Sequence, residues 1–141
     1  MDFLTSFRVT SSGLAAQRLR MNVIAENVAN AQTTRTPEGG PFKRKDPIFA
    51  AKPFKEMLSI EEIAGSTGVS VERVNVDERP PRMQYDPNHP DANADGYVAM
   101  PNIDMVTEMV NMMSASRSYE SNVTVLNASK AMAMKALEIG K

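Results

Sequence analysis

The chain contains no cysteine, no tryptophan and a single histidine. Without cysteine there is no disulfide framework, no thiolate nucleophile and no cysteine-based zinc or iron-sulfur site. An excess of one charge is also missing, since 16 basic residues face 17 acidic ones for a formal net charge of -1, and no stretch concentrates one sign beyond Lys43, Arg44 and Lys45. That balance has neither the basic stripe of a nucleic-acid binder nor the polybasic patch of a membrane-surface protein. No window approaches the ~18 apolar residues of a membrane span, so direct membrane insertion is not expected. The first residues, Met1 to Thr5, lack a basic n-region and an unbroken apolar h-region, and a soluble protein without an ordinary cleaved signal is the expectation.

Methionine and proline are what the chain does have. There are 11 methionines, and all 9 prolines fall between Pro37 and Pro101. The prolines divide the sequence into two helical ends, 1–30 and 102–141, around an insert, 31–101, with one core expected for the whole. From Phe3 to Val28, alternating steps of four and three collect Phe3, Phe7, Thr10, Leu14, Gln17, Met21, Ile24 and Val28, of which only two are polar. From Ile103 to Ile139 the same stepping collects Met105, Met109, Met112, Ser116, Tyr119, Val123, Leu126, Lys130, Ala133 and Leu137. This is the spacing of helices that pack along a narrow stripe. Asn102 is the expected N-cap of the second helix and Gly140 its stop. Helices roughly 40 and 55 Å long at 1.5 Å per residue exceed the globular norm, and each seam needs the other helix or a neighbouring subunit to cover it. The fold expected is mainly α, with a small β-rich insert and long terminal helices pairing as in a coiled coil.

Within the insert, Val69 to Val76 alternates valine with polar residues before and after Arg73, a change of register that suits a β-bulge. Phe42 to Lys45, Met83 to Tyr85 and Tyr97 to Met100 are shorter strand candidates.

The motifs that tempt a chemical reading are weak. His89 lies near Asp86 and Asp91, but in Asp86-Pro87-Asn88-His89-Pro90-Asp91, a run composed to turn the chain. Asp91, Asn93, Asp95 and Gly96 match the front of a calcium loop, yet Asn102 stands where the bidentate Glu belongs and prolines 90 and 101 spoil the flanking helices. Gly39-Gly40 is bracketed by prolines and opens no phosphate-binding helix. Glu61-Glu62 and Asp77-Glu78 lie in polar surroundings with no apolar pocket to raise a pKa. No catalytic residue, metal or cofactor is therefore expected. Met105, Met109, Met112 and Met113 at the start of the last helix offer an adaptable apolar surface. Thr10, Gln17, Ser116 and Lys130 would trade seam stability for register.

Three stretches together carry a resemblance. The first runs from Ser11-Ser12-Gly13-Leu14-Ala15-Ala16-Gln17-Arg18 to Asn27-Val28-Ala29-Asn30-Ala31-Gln32-Thr33-Thr34. The second is Tyr85-Asp86-Pro87-Asn88-His89-Pro90-Asp91-Ala92-Asn93-Ala94-Asp95-Gly96-Tyr97-Val98. The third joins Pro101-Asn102-Ile103-Asp104 to Glu108-Met109 and then Ser116 through Val123. The sequence resembles the rod, hook and hook-associated proteins of the bacterial flagellum, and its second and third stretches resemble the proximal-rod members. It departs from the family's Thr-x-Gly-Tyr-Lys-Arg turn by inserting Arg35 to Gly40 and reading Pro41-Phe42-Lys43-Arg44.

The resemblance implies a structural subunit of the periplasmic rod that passes motor torque toward the hook. Its implied partners are copies of itself, neighbouring rod subunits and, during secretion, the flagellar type III export apparatus. Phe3 with Phe7, or Phe54 with Leu58, would then supply an export motif. The expected assembly contacts are Leu14, Met21, Asn27, Val28, Asn30, Met109, Met112, Tyr119, Val123 and Leu126. The competing expectation is a small soluble adaptor whose terminal helices close on each other and present the insert to a partner.

Overall fold

A computed structural model describes residues 3–53 and 67–139. Gly140, Phe54 with Leu58, and Glu61-Glu62 lie outside the described residues. The order is α1 (Phe3–Ala29), β1 (Lys45–Pro53), β2 (Thr67–Val76), β3 (Arg82–Tyr85), β4 (Tyr97–Met100) and α2 (Met105–Ile139). Fold class agrees with expectation: two long helices enclose a small β insert made of two antiparallel pairs, β1 with β2 and β3 with β4.

α1 spans 27 residues and α2 spans 35, and both are built mainly from good helix formers without proline. They pack together antiparallel. Asn27, near the end of α1, bonds to Glu108 near the start of α2, and Gly13 in mid-α1 lies against Asn122 in mid-α2. The N-cap of α2 is Asp104, two residues after the expected Asn102. Its Oδ1 accepts the Val106 N–H at 3.2 Å, and its Oδ2 accepts the Thr107 hydroxyl. Those two hydrogen bonds hold the Asp104 carboxyl below the usual carboxylate range, the Thr107 hydroxyl contributing most.

β1 is a strand the sequence conceals. Pro47 and Pro53 lie within it, and proline is tolerated because a two-stranded ribbon has two free edges. Of the expected Phe42 to Lys45 strand, only Lys45 is in β1. Ile48 pairs with Arg73 and Phe49 with Val71, which leaves Glu72 as the extra residue of a bulge. The bulge has a clear result. Val69, Val71, Val74 and Val76 pair with Ala51, Phe49, Pro47 and Lys45, so all four valines share one face instead of switching sides after Arg73.

The β1–β2 hairpin lies along α1. Lys45 meets Asn27 at one end, and Gly68 and Val69 meet Ser12 at the other. Fifteen residues of helix and eight of strand both cover about 22–26 Å, so the two elements match in length. α1 is therefore covered on two sides, by the hairpin and by α2. Its exposed positions reduce to one stripe, Leu4, Arg8, Ser11, Ala15, Arg18, Asn22, Ala25 and Ala29, with Phe7 beside it.

The turn that contains His89 is held by its own polar groups. Asp86 Oδ1 accepts the Asn88 N–H, His89 Nδ1 accepts the Asp91 N–H at 3.1 Å, and Asn93 Oδ1 accepts the N–H groups of Asp95 and Tyr97. Asn93, the third position of the calcium pattern, thus has its oxygen committed to the backbone. Tyr85 and Tyr97 face each other across β3 and β4, with ring centroids 5.3 Å apart and planes at 67°, an edge-to-face contact.

Candidate assembly surfaces

Among the described residues, the buried apolar side chains are Ala16, Val23, Ile24, Ala31, Val98, Ile103 and Ala115, with Pro47 and Pro101. None is a methionine or an aromatic. The methionines among the described residues therefore lie on the surface or are half-buried.

The covered face of α2 runs through Glu108, Met112, Ala115, Tyr119, Asn122, Leu126, Ser129 and Ala133, all buried or half-buried. This seam shares Met112, Tyr119, Leu126 and Ala133 with the expected one. At the alternate positions it runs one residue earlier: Glu108, Ala115, Asn122 and Ser129 replace Met109, Ser116, Val123 and Lys130. The shift has a physical reason, since small and polar side chains let the helices approach closely, with the ideal Cβ position of Gly13 only 3.3 Å from Asn122 Nδ2. The large apolar residues are turned away. Val106, Met109, Val110 and Met113 stand 70%, 53%, 54% and 55% exposed on the side of α2 opposite the seam. Val125, Met132, Met134 and Leu137 are further exposed apolar residues in the C-terminal half of α2.

The expected contact residues separate into three groups. Met109 is exposed. Leu14, Met21, Val28, Met112, Tyr119, Val123 and Leu126 are half-buried, with Met112, Tyr119 and Leu126 in the seam of α2. Asn27 and Asn30 have work inside the chain. Asn30 closes α1, its Nδ2 donating to the Glu26 carbonyl at 2.9 Å and its Oδ1 accepting the Thr33 hydroxyl at 3.1 Å. Asn27 is fully enclosed, so no neighbouring subunit reaches it in this conformation. Phe7, an expected seam residue, is 41% exposed. Gln17 buries its Oε1 with no hydrogen-bond partner among the described residues, so this polar seam position carries a desolvation cost. The exposed large apolar residues of α2 that seam stepping does not reach are Val106, Val110, Met113, Val125, Met132 and Met134, and of these only Met113 is marked out in the sequence, by the methionine cluster.

Asn27 belongs to a polar junction where both helices meet the insert. Its Oδ1 accepts the Lys45 N–H at 2.9 Å and its Nδ2 donates to the Lys45 carbonyl at 2.8 Å and to Glu108 Oε2 at 3.2 Å. Glu108 is 1% exposed, and its other oxygen accepts from Arg44 Nε at 2.8 Å. The 35–45 loop ends in this junction. Farther back, Thr34 and Arg35 both bind the Asp91 carboxylate, which ties the loop to the His89 turn.

No helix among the described residues is long and apolar enough to cross a membrane. The two helices do close on each other within one chain, as the adaptor reading expected. Relatives decide between the readings. Residues 7–35 match the family model described as flagella basal body rod protein, and residues 94–139 match that of the flagellar basal body rod FlgEFG protein C-terminal region. Three proteins named flagellar basal-body rod protein FlgC are similar along the whole chain. The Bacillus subtilis protein is 45% identical with 100% of both chains covered, and the Borreliella burgdorferi protein is 44% identical with 99% of this chain and 98% of the relative covered. The Salmonella typhimurium protein is 42% identical, again with 100% of both covered. With full-length identity at this level and a family match at each helical end, the chain belongs to the FlgC-type flagellar basal-body rod proteins and is a structural subunit of the basal-body rod.

Proposed function

We propose that the chain works mechanically, in the proximal rod, as part of the periplasmic drive shaft between motor and hook. Its partners are copies of itself and neighbouring rod subunits, reached after export through the flagellar type III apparatus, and it performs no catalysis. The two helical ends and the insert act as one unit. The observation that carries this reading is the outward-facing apolar surface of α2, with Val106, Met109, Val110 and Met113 more than half exposed although a closed helix pair has covered the seam behind them. Burying such surface against a neighbour returns about 25 cal/mol per Å² before ordering costs. Repeated along a head-to-tail interface whose rotation does not close, the contact yields a helical shaft. The half-buried residues Leu14, Met21, Val28, Met112, Tyr119, Val123 and Leu126 add contact with the part of each side chain that the helix pair leaves open.

Met109→Asp/Met113→Asp tests it, because both side chains lie outside the chain's own packing. The purified variant should melt like the native protein, while cells that carry it make the protein but no rod and do not swim. Motile cells with normal rods would sink the reading.

A further inference from the structure

The polar junction has features that packing alone does not require. Asn27 and Glu108 sit in the seam, 0% and 1% exposed, at a place where two apolar residues would close the helix pair as well. Their hydrogen bonds link Glu108 on α2 through the Asn27 amide on α1 to Lys45, the first residue of β1. The Asn27 amide exchanges a donor and an acceptor with the Lys45 backbone, as a neighbouring strand would. It therefore continues the β1 ladder beyond its pairing with Val76. Arg44 binds Glu108 from the insert side while its carbonyl accepts the Asp77 N–H at 2.8 Å from the segment after β2. β1 is thus fastened at its base to α1 through Asn27 and the Lys45–Glu26 ion pair and to α2 through Arg44, and the segment after β2 is tied to the same point by the Arg44 carbonyl. At the far end the attachment is slighter, the Ser12 hydroxyl accepting the Val69 N–H at 3.1 Å.

We infer that Asn27, Glu108 and Arg44 are positioning residues that fix the attitude of the β1–β2 hairpin to the helix pair. With them in place the hairpin and the α2 surface hold one mutual orientation. Without them the hairpin pivots about Ser12 while the helices remain paired through their small-residue seam.

The native chain has no cysteine, so spin labels can be placed at will on the full-length protein. Labels at Arg73→Cys and Ser121→Cys, both exposed, report hairpin against helix, and labels at Arg18→Cys and Ser121→Cys report helix against helix. Asn27→Ala should at least double the width of the first distance distribution and leave the second distribution and the helix content unchanged. Glu108→Gln keeps the shape but faces one partner with a donor where an acceptor is needed, and should give a smaller broadening of the same kind. A hairpin distance as narrow as the native one in both variants would overturn the inference. So would loss of helix content or of the helix–helix distance in Asn27→Ala, since the junction would then support the helix pair and not the attitude of the insert. Equal broadening from Ser12→Ala would also overturn it.

Discussion

Gly13 lies in the interior of α1, where glycine costs ~1 kcal/mol relative to alanine because the backbone must surrender more freedom. Its neighbour across the seam gives a reason to retain it, since an added Cβ would come 3.3 Å from Asn122 Nδ2 and 3.8 Å from its Cγ. Two terms therefore compete. For Gly13→Ala the atoms met belong to a half-buried, rotatable side chain that needs to give by only a few tenths of an ångström. The helix term should win, with a gain of ~0.5–1 kcal/mol and a melting temperature higher by roughly 2–4 °C. Gly13→Leu puts three more carbons into the same gap, so the helices must part. Overpacking of that kind costs ~1–3 kcal/mol, enough to lower the melting temperature by several degrees despite the better helix former. Thermal melts of both variants, followed by far-ultraviolet circular dichroism, measure the two terms. A Gly13→Leu protein that melts at or above the native temperature would refute the close approach of α1 to α2 at this level.

At Gly96, φ is +81° and a Cβ would stand 2.9 Å from Tyr85 Cε2. Gly96→Ala should cost ~1–2 kcal/mol in backbone strain alone and displace the Tyr85 ring, and near-ultraviolet circular dichroism should show loss of the Tyr85–Tyr97 contact; an unchanged spectrum and melt would contradict it. The Arg79 side chain donates to Asp77 and, with the Arg79 backbone N–H, holds its pKa at about 2 against a usual 3.8. The folded-state pKa is depressed, so the contribution is complete above 3.8 and is lost as pH falls toward 2. Stability measured across that interval should fall less steeply for Arg79→Gln than for the native chain, and parallel curves would remove Arg79 as the cause.

The sequence displayed those parts of the fold whose pattern is local. Both helices, β3, β4 and the valine alternation of β2 stand within a few residues of their observed limits, and the bulge lies at Glu72, beside the Arg73 where alternation breaks. β1 was hidden because Pro47 and Pro53 are legitimate only at a free edge, and whether an edge is free is decided by the rest of the sheet. The seam was displaced because stepping favours large apolar residues, whereas close helix contact selects Ala115, Asn122 and Ser129. The junction was out of reach: Asn27 and Arg44 meet Glu108 across 81 and 64 positions of sequence. Nothing local distinguishes a carboxylate at the end of a polar relay from one on a solvated helix face.

The shelter of α1 also has a timetable. Its first cover, β1 and β2, is made some tens of residues after it, but its second, α2, comes from the opposite end of the chain. At roughly 5–20 residues per second of synthesis, α1 waits many seconds for its mate. Contacts this far apart also close slowly once both ends exist. The same topology that yields a long closed helix pair therefore leaves the growing chain without its completed core until the last helix has been made. The helix pair, and with it the core between α1 and α2, is therefore the last part of the fold to form.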